Sequence, residues 1–220
     1  MIGPKQLFSK WRRWLDRIER DQLRDLLINR HIFNQFRDVI SPHTGTYHGA
    51  DLARWMAQNY VAFASTAIRR LVERPNRKWQ SVSLVILLEE LAANDTLLSR
   101  TRFRRFYKSE IAKMIVDRDF DSIARTKNSQ LVSATRIRRD LRELKAITDP
   151  VKSLVDKVVA HTEHDRRKLP KIKYGQIGDA VDFIEALFKR YSLLIRGSCP
   201  CPLVPLTDFN VTHDLKKIWD

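Results

Sequence analysis

His161 and His164 stand three residues apart, with Lys157 one helical turn before His161 and Asp156 beside it. Arg166, Arg167 and Lys168 follow at once. An imidazole held near a cation can take or give a proton while the cation stabilises charge that develops on a reacting phosphate. The stretch that carries these groups is VKSLVDKVVAHTEHDRRKLP, and its Val151, Leu154, Val155 and Val158 share one helical face. That spacing sets His161 at the edge of the apolar stripe. A plainer reading stands beside the catalytic one. A helix C-terminus favours cations, so Arg166, Arg167 and Lys168 complement its dipole, and a histidine there is most often structural.

Two other stretches carry chemistry. SKWRRW, from Ser9, and RTRFRRFYK, from Arg100, interleave guanidinium groups with aromatic rings. That mixture neutralises phosphates and stacks on unpaired bases. Arg104 and Arg105 are the candidate nucleic-acid contacts in the second run, joined by Arg166, Arg167 and Lys168. Helical spacing assigns Phe103, Phe106 and Tyr107 to the core. Metal chemistry finds little support. His161, Glu163 and His164 are too few ligands, and Cys199 and Cys201 add only two, so both cysteines are assigned structural roles. GQIGD lacks the preceding strand and the third glycine of a dinucleotide loop. No metal and no cofactor are expected.

Bulk composition agrees with an anionic partner. Among 220 residues, 41 are Lys or Arg against 26 Asp or Glu, a net charge of +15. Nucleic acid ranks first as the polyanion, then an anionic membrane surface, then an acidic protein. A hydrophobic content of 43% is that of a folded chain. No apolar run reaches spanning length, since SLVILLEEL stops at Glu89. The N-terminal segment is basic and amphipathic without a signal-peptide core. With two cysteines, the expected compartment is the cytoplasm.

The elements that must position these groups are helices. Leu7, Trp11, Trp14, Leu15 and Ile18 recur at helical spacing, continuing through Leu23, Leu26, Leu27 and Phe33. SPHTGTYHG breaks the pattern, and Asp51 is placed as the cap of the next helix, through Leu71. Ser81 opens a central helix buried nearly all round. Phe103, Phe106, Tyr107, Ile111, Met114 and Ile115 form one stripe, and Asp117 to Ser129 is placed as a loop. A helix over Ala134 to Leu144 ends before Asp149 and Pro150, which restart the chain as cap and first helical residue. Ile172 to Gly178 is placed as a short extended piece. Val181 to Ile195 marks the last long helix. One domain over residues 1–197 and an irregular, Pro-rich tail over 198–220 are expected.

The order of three short motifs resembles the HEPN domain family, nearest its abortive-infection AbiU-type subgroup. They are AIRRLVE from Ala67, SVSLVILLEEL from Ser81, and the D-K-x-x-A-H-T-E pattern of Asp156, Lys157, Ala160, His161, Thr162 and Glu163. The likeness runs from about Ile18 to Ile195. It implies an all-α, HEPN-like helical bundle with additional helices, often a homodimer. It also implies a metal-independent endoribonuclease of a toxin–antitoxin or phage-defence system, with RNA as substrate and an acidic antitoxin as a protein partner. In that family an Arg stands a turn or so before the His. Here that window holds Val155, Asp156 and Lys157. Lys157 brings charge without a two-pronged fork, so Arg69 or Arg70 would have to supply the guanidinium from another helix. The plainer role for both is an ion pair with a carboxylate such as Glu89, Glu90 or Glu163. The alternative to an enzyme is a catalytically silent helical module that binds RNA or an acidic protein.

Overall fold

Pro4 sits at the first helical position, where its missing N–H costs nothing, and starts α1, Pro4–Ile18. The Gly3 N–H ahead of it donates to Gln6 Oε1 at 3.1 Å. The structure is a computed structural model that describes residues 3–45, 47–74, 81–156, 173–199, 203–204 and 212. Trp11, Leu15 and Ile18 are wholly buried. The chain then widens into a π turn, Glu19–Leu23, and continues as α2, Arg24–Ile40. Five residues separate Ile18 from Leu23, too many for one α turn. The wider turn absorbs the extra residue and keeps Leu23, Leu26 and Leu27 on the buried side.

A 3-10 turn at Ser41–His43 leads to α3, Tyr47–Val72. The break is Pro42 and Gly45, as their chemistry dictates. The helix resumes ahead of Asp51, however, so Asp51 is not its cap but pairs with Arg54 at 3.4 Å. Helix α4, Leu84–Ala93, is capped by Ser83, whose Oγ accepts from the Ile86 N–H. Leu84, Leu87, Leu88 and Leu91 are buried, while Glu89 and Glu90 are half-exposed, so α4 has an outer face.

The aromatic stripe after Arg100 is split between a short α5, Arg100–Arg104, and α6, Glu110–Ala124. Helix α6 covers much of the stretch expected as a loop. Its Val116, Phe120 and Ile123 are buried at helical spacing. The intervening aspartates hide that period because they face partners: Asp117 and Asp121 both bind Arg100, and Asp119 accepts from Tyr107. The true loop begins at Arg125, where Arg125 and Asn128 take positive φ.

Helix α7, Ala134–Leu154, is capped by Ser133 and runs straight through Asp149 and Pro150. The expected restart there does not occur. Pro150 has no N–H for the Ala146 carbonyl and crowds the preceding turn, but packing of Thr148 and Val151 holds the helix on course. Replacing Pro150 with Ala restores one backbone bond and should raise stability by up to about 3 kcal/mol. A denaturant midpoint equal to that of the wild type would refute that reading. Helix α8, Tyr174–Arg196, begins inside the stretch expected to be extended, with Gly175 and Gly178 in its first turns. Gly197 ends it at φ 74, and its N–H reaches the Leu193 carbonyl at 2.9 Å. A Cβ there would meet the Phe106 ring at 2.3 Å, so only glycine lets α5 pack against this corner.

The result is all-α. Helix α3 packs on α2, α4 on α7, and α7 on both α3 and α8, while α1 lies against α4 and α8. The core fills with Ile68, Leu71, Ile137, Leu144, Ile184 and Phe188. Of the tail, Leu203 is buried against that core. No helix among the described residues is long and apolar enough to cross a membrane.

Candidate nucleic-acid interface and the approach to the histidine motif

Helix α7 has two faces with opposite tasks. Its inner face carries Asp140, fully buried. Asp140 accepts from Arg136 at 2.6 Å, from Arg190 at 2.9 and 3.0 Å, and from the Tyr191 hydroxyl at 2.8 Å. This network ties α7 to α8. Burial, and then the Asp140 charge, push the Tyr191 ionisation upward. The network went unrecognised in the sequence because its members are scattered over two helices.

The outer face carries Arg138, Arg142, Lys145 and Lys152. Their offsets of four, three and seven residues keep all four on one stripe. They line a cleft of about 940 Å³ closed on its other side by Arg74, Val85 and Glu89. Arg74 is held by Glu89. The four α7 cations form no ion pair among the described residues. Their spacing was available in the sequence as a signal, but the aromatic runs and the histidines drew the assignment instead.

That same helix leads to Asp156, the first residue of the D-K-x-x-A-H motif. After Leu154 it opens into a π-type turn at Val155 and Asp156, with Val155 only 3% exposed. Asp156 is exposed and receives Arg69 Nη1 at 2.8 Å; Arg69 Nη2 lies 3.6 Å from Glu73. So a guanidinium from α3 does reach the start of the motif. Arg69 is thus paired with carboxylates, but not with two of the three expected ones: Glu89 holds Arg74, and Glu90 holds Lys10 at 2.6 Å. Arg70 turns elsewhere and lines a small cleft with Asp21, Asp25 and Thr66. It does not join Asp156. Lys157, His161, Glu163, His164, Arg166, Arg167 and Lys168 lie outside the described residues.

The second basic run divides in role. Arg104 donates twice to Asp117, at 2.9 and 2.7 Å, and Arg100 shares the same carboxylate at 3.0 Å. Hydrogen bonds from these guanidinium groups, Arg104 first, hold Asp117 below the usual carboxylate range. The Arg104 charge is therefore offset locally. Arg105 is exposed and pairs with no carboxylate among the described residues. Phe103 is buried, and Phe106 and Tyr107 pack partly buried against the core. Desolvation pushes Tyr107 up to about 12.

One further cavity, about 530 Å³, is lined by Phe33, Tyr60 and Tyr174 between α2, α3 and α8. Phe33 stacks on Tyr60 at 4.2 Å. Arg30 on its wall is bound by Asp182 and Glu185, so this cavity presents rings rather than free charge.

Comparison of the chain with protein-family models, with curated proteins and with solved structures returns no match.

Proposed function

We propose that this is an RNA-directed helical protein of HEPN type, in which the α7 cleft receives the phosphodiester backbone and leads it to the histidine motif. The observation that carries this reading is the stripe of Arg138, Arg142, Lys145 and Lys152, which form no ion pair among the described residues, on the helix that continues into Asp156. Arg138 and Lys152 are separated by roughly 20 Å along the helix, a length suited to several consecutive phosphates. Such a surface binds by charge and releases counterions, so it tolerates many sequences.

In this reading Asp156 positions Arg69, and His161 is the proton-transfer group. The 2′-hydroxyl of the RNA loses its proton to the imidazole and its oxygen attacks the adjacent phosphorus. The P–O5′ bond breaks, the 5′-oxygen leaves with a proton from solvent, a 2′,3′-cyclic phosphate remains, and the guanidinium stabilises the charge on the phosphorane oxygens. A binding module without cleavage is the second reading. It is favoured by the two carboxylates that already engage Arg69.

Binding of a single-stranded RNA should weaken steeply with salt. The slope of log K against log salt should shrink by about 0.7 for each cation removed from the cleft. Arg138→Gln with Arg142→Gln should therefore lower the slope by about 1.4. Fluorescence anisotropy across a salt series measures it. An unchanged slope in the double variant would move RNA off α7, and salt-independent binding would point to an acidic protein partner instead.

A further inference from the structure

The two basic aromatic runs, distant in sequence, meet at one corner of the fold. Arg102 on α5 lies over the Phe8 ring of α1, its guanidinium carbon 3.3 Å from the ring centre. Arg12 of α1 sits over Phe106, 5.9 Å from that ring, and its Nε reaches the Ile195 carbonyl at 3.4 Å. Phe106 is in turn seated on Gly197, at the end of α8. Arg105 completes the group from the C-cap of α5 and is exposed.

Three arginines thus share one corner, with no ion-paired carboxylate among the described residues. Elsewhere on this surface the chain matches arginine with acid: Arg196 binds Asp16 and Glu19, and Arg104 binds Asp117. None of Arg12, Arg102 and Arg105 forms an ion pair among the described residues. The Arg102 Nε is buried with no hydrogen-bond partner. Burial, and then the like charges of Arg12 and Arg105, lower the Arg102 pKa. Three neighbouring guanidinium groups with no ion-paired carboxylate among the described residues repel one another, a cost that an anion bound at their exposed nitrogens would remove.

We propose that Arg12, Arg102 and Arg105 form a phosphate-binding site at the junction of α1, α5 and the end of α8, separate from the α7 cleft. The aromatic rings seat the guanidinium groups of Arg12 and Arg102, and exposed Arg105 supplies the third donor. A phosphate matches the site better than a carboxylate, because it offers enough oxygens to accept from three guanidinium groups at once. The phosphate comes either from the RNA backbone or from free phosphate in solution.

The test uses inorganic phosphate and a single-stranded RNA oligomer on the full chain. Arg12→Gln with Arg105→Gln changes two exposed positions and leaves the Phe8 stack in place. Phosphate, compared with chloride at equal ionic strength, should raise the wild-type melting temperature more than that of the double variant. Phosphate also stabilises proteins by exclusion from their surface, so the difference between the two proteins is the measure. Affinity for phosphate should fall about tenfold for each guanidinium lost. If RNA affinity falls with it, and phosphate competes with RNA, the ligand is the backbone. If RNA affinity is unchanged, the site takes free phosphate. Equal phosphate responses in wild type and variant overturn the site. The Arg138→Gln, Arg142→Gln protein should keep the full phosphate response, so failure of this corner and failure of the α7 cleft are distinguishable.

Discussion

Asp140→Ala will lose about 3–5 kcal/mol of folding stability, the cost of removing one member of a buried charge network. Asp140 is fully buried and is the shared acceptor for Arg136, Arg190 and Tyr191. Without it, two guanidinium groups are left facing one another in the core between α7 and α8. Arg136 is already under strain of this kind, since its Nε and Nη1 are buried without partners. Asp140→Asn keeps the shape and loses the charge, and should be nearly as damaging. Tyr191→Phe deletes only one neutral donor and should cost about 1 kcal/mol. Urea denaturation followed by circular dichroism reads all three. A loss under about 1 kcal/mol in Asp140→Ala would mean that water reaches both arginines. The network also sets an alkaline limit. The folded Tyr191 ionises above its unfolded value near 10, so its contribution is whole below that pH and is lost as pH rises past it. Tyr60 and Tyr107 are raised as well and act in the same direction.

His161→Ala will reduce RNA cleavage on the order of a hundredfold or more if the chain cuts RNA with this motif, with the fold unchanged. Arg69→Gln should produce a comparable loss, of about 10²–10³, as expected for one donor to a developing oxyanion. Cleavage should persist in EDTA. The geometry shapes the choice of rescue experiment. Restoring an arginine within the chain has two obvious positions. Val155 is buried, so Val155→Arg would place an unpaired charge in the core. Asp156→Arg would set a like charge against Arg69, 2.8 Å from where its partner now stands. Arg69 is therefore the guanidinium to test. Full activity in both His161→Ala and Arg69→Gln would remove catalysis from this motif. RNA binding without cleavage by the wild type would select the silent module.

The helices that the sequence states openly are those whose apolar period is uninterrupted. Leu7 to Ile18 and Leu84 to Leu91 are of that kind, and they form as their spacing requires. Asp117 to Ala124 is disguised, because carboxylates committed to Arg100, Arg104 and Tyr107 occupy its exposed positions and resemble a loop. Pro150 and the glycines of Tyr174–Gly178 are strong local breakers that tertiary packing overrides. The site shows the same division. An ion pair for Arg69 or Arg70 is a reading open in the sequence, but Asp156 could be chosen over Glu89 and Glu90 only once three helices were placed. Arg104 and Arg105 are neighbours of one type, and nothing in their sequence distinguishes the one neutralised by Asp117 from the one left open.

The contact of α1 with α8 bears on how a newborn chain closes. Arg196 of α8 reaches back to Asp16 and Glu19, at 2.6 and 2.7 Å, and Arg12 reaches forward to Ile195. At a synthesis rate of about 5–20 residues per second, the interval between Ile18 and Tyr174 is on the order of ten seconds. For that time the apolar side of α1, with Trp11, Leu15 and Ile18, has no α8 to lie against. A basic helix with an open aromatic face is attractive to chaperones and to anionic surfaces alike. Ribosomal pausing before Tyr174 would lengthen that exposure, and a chain released there would present as aggregation during expression.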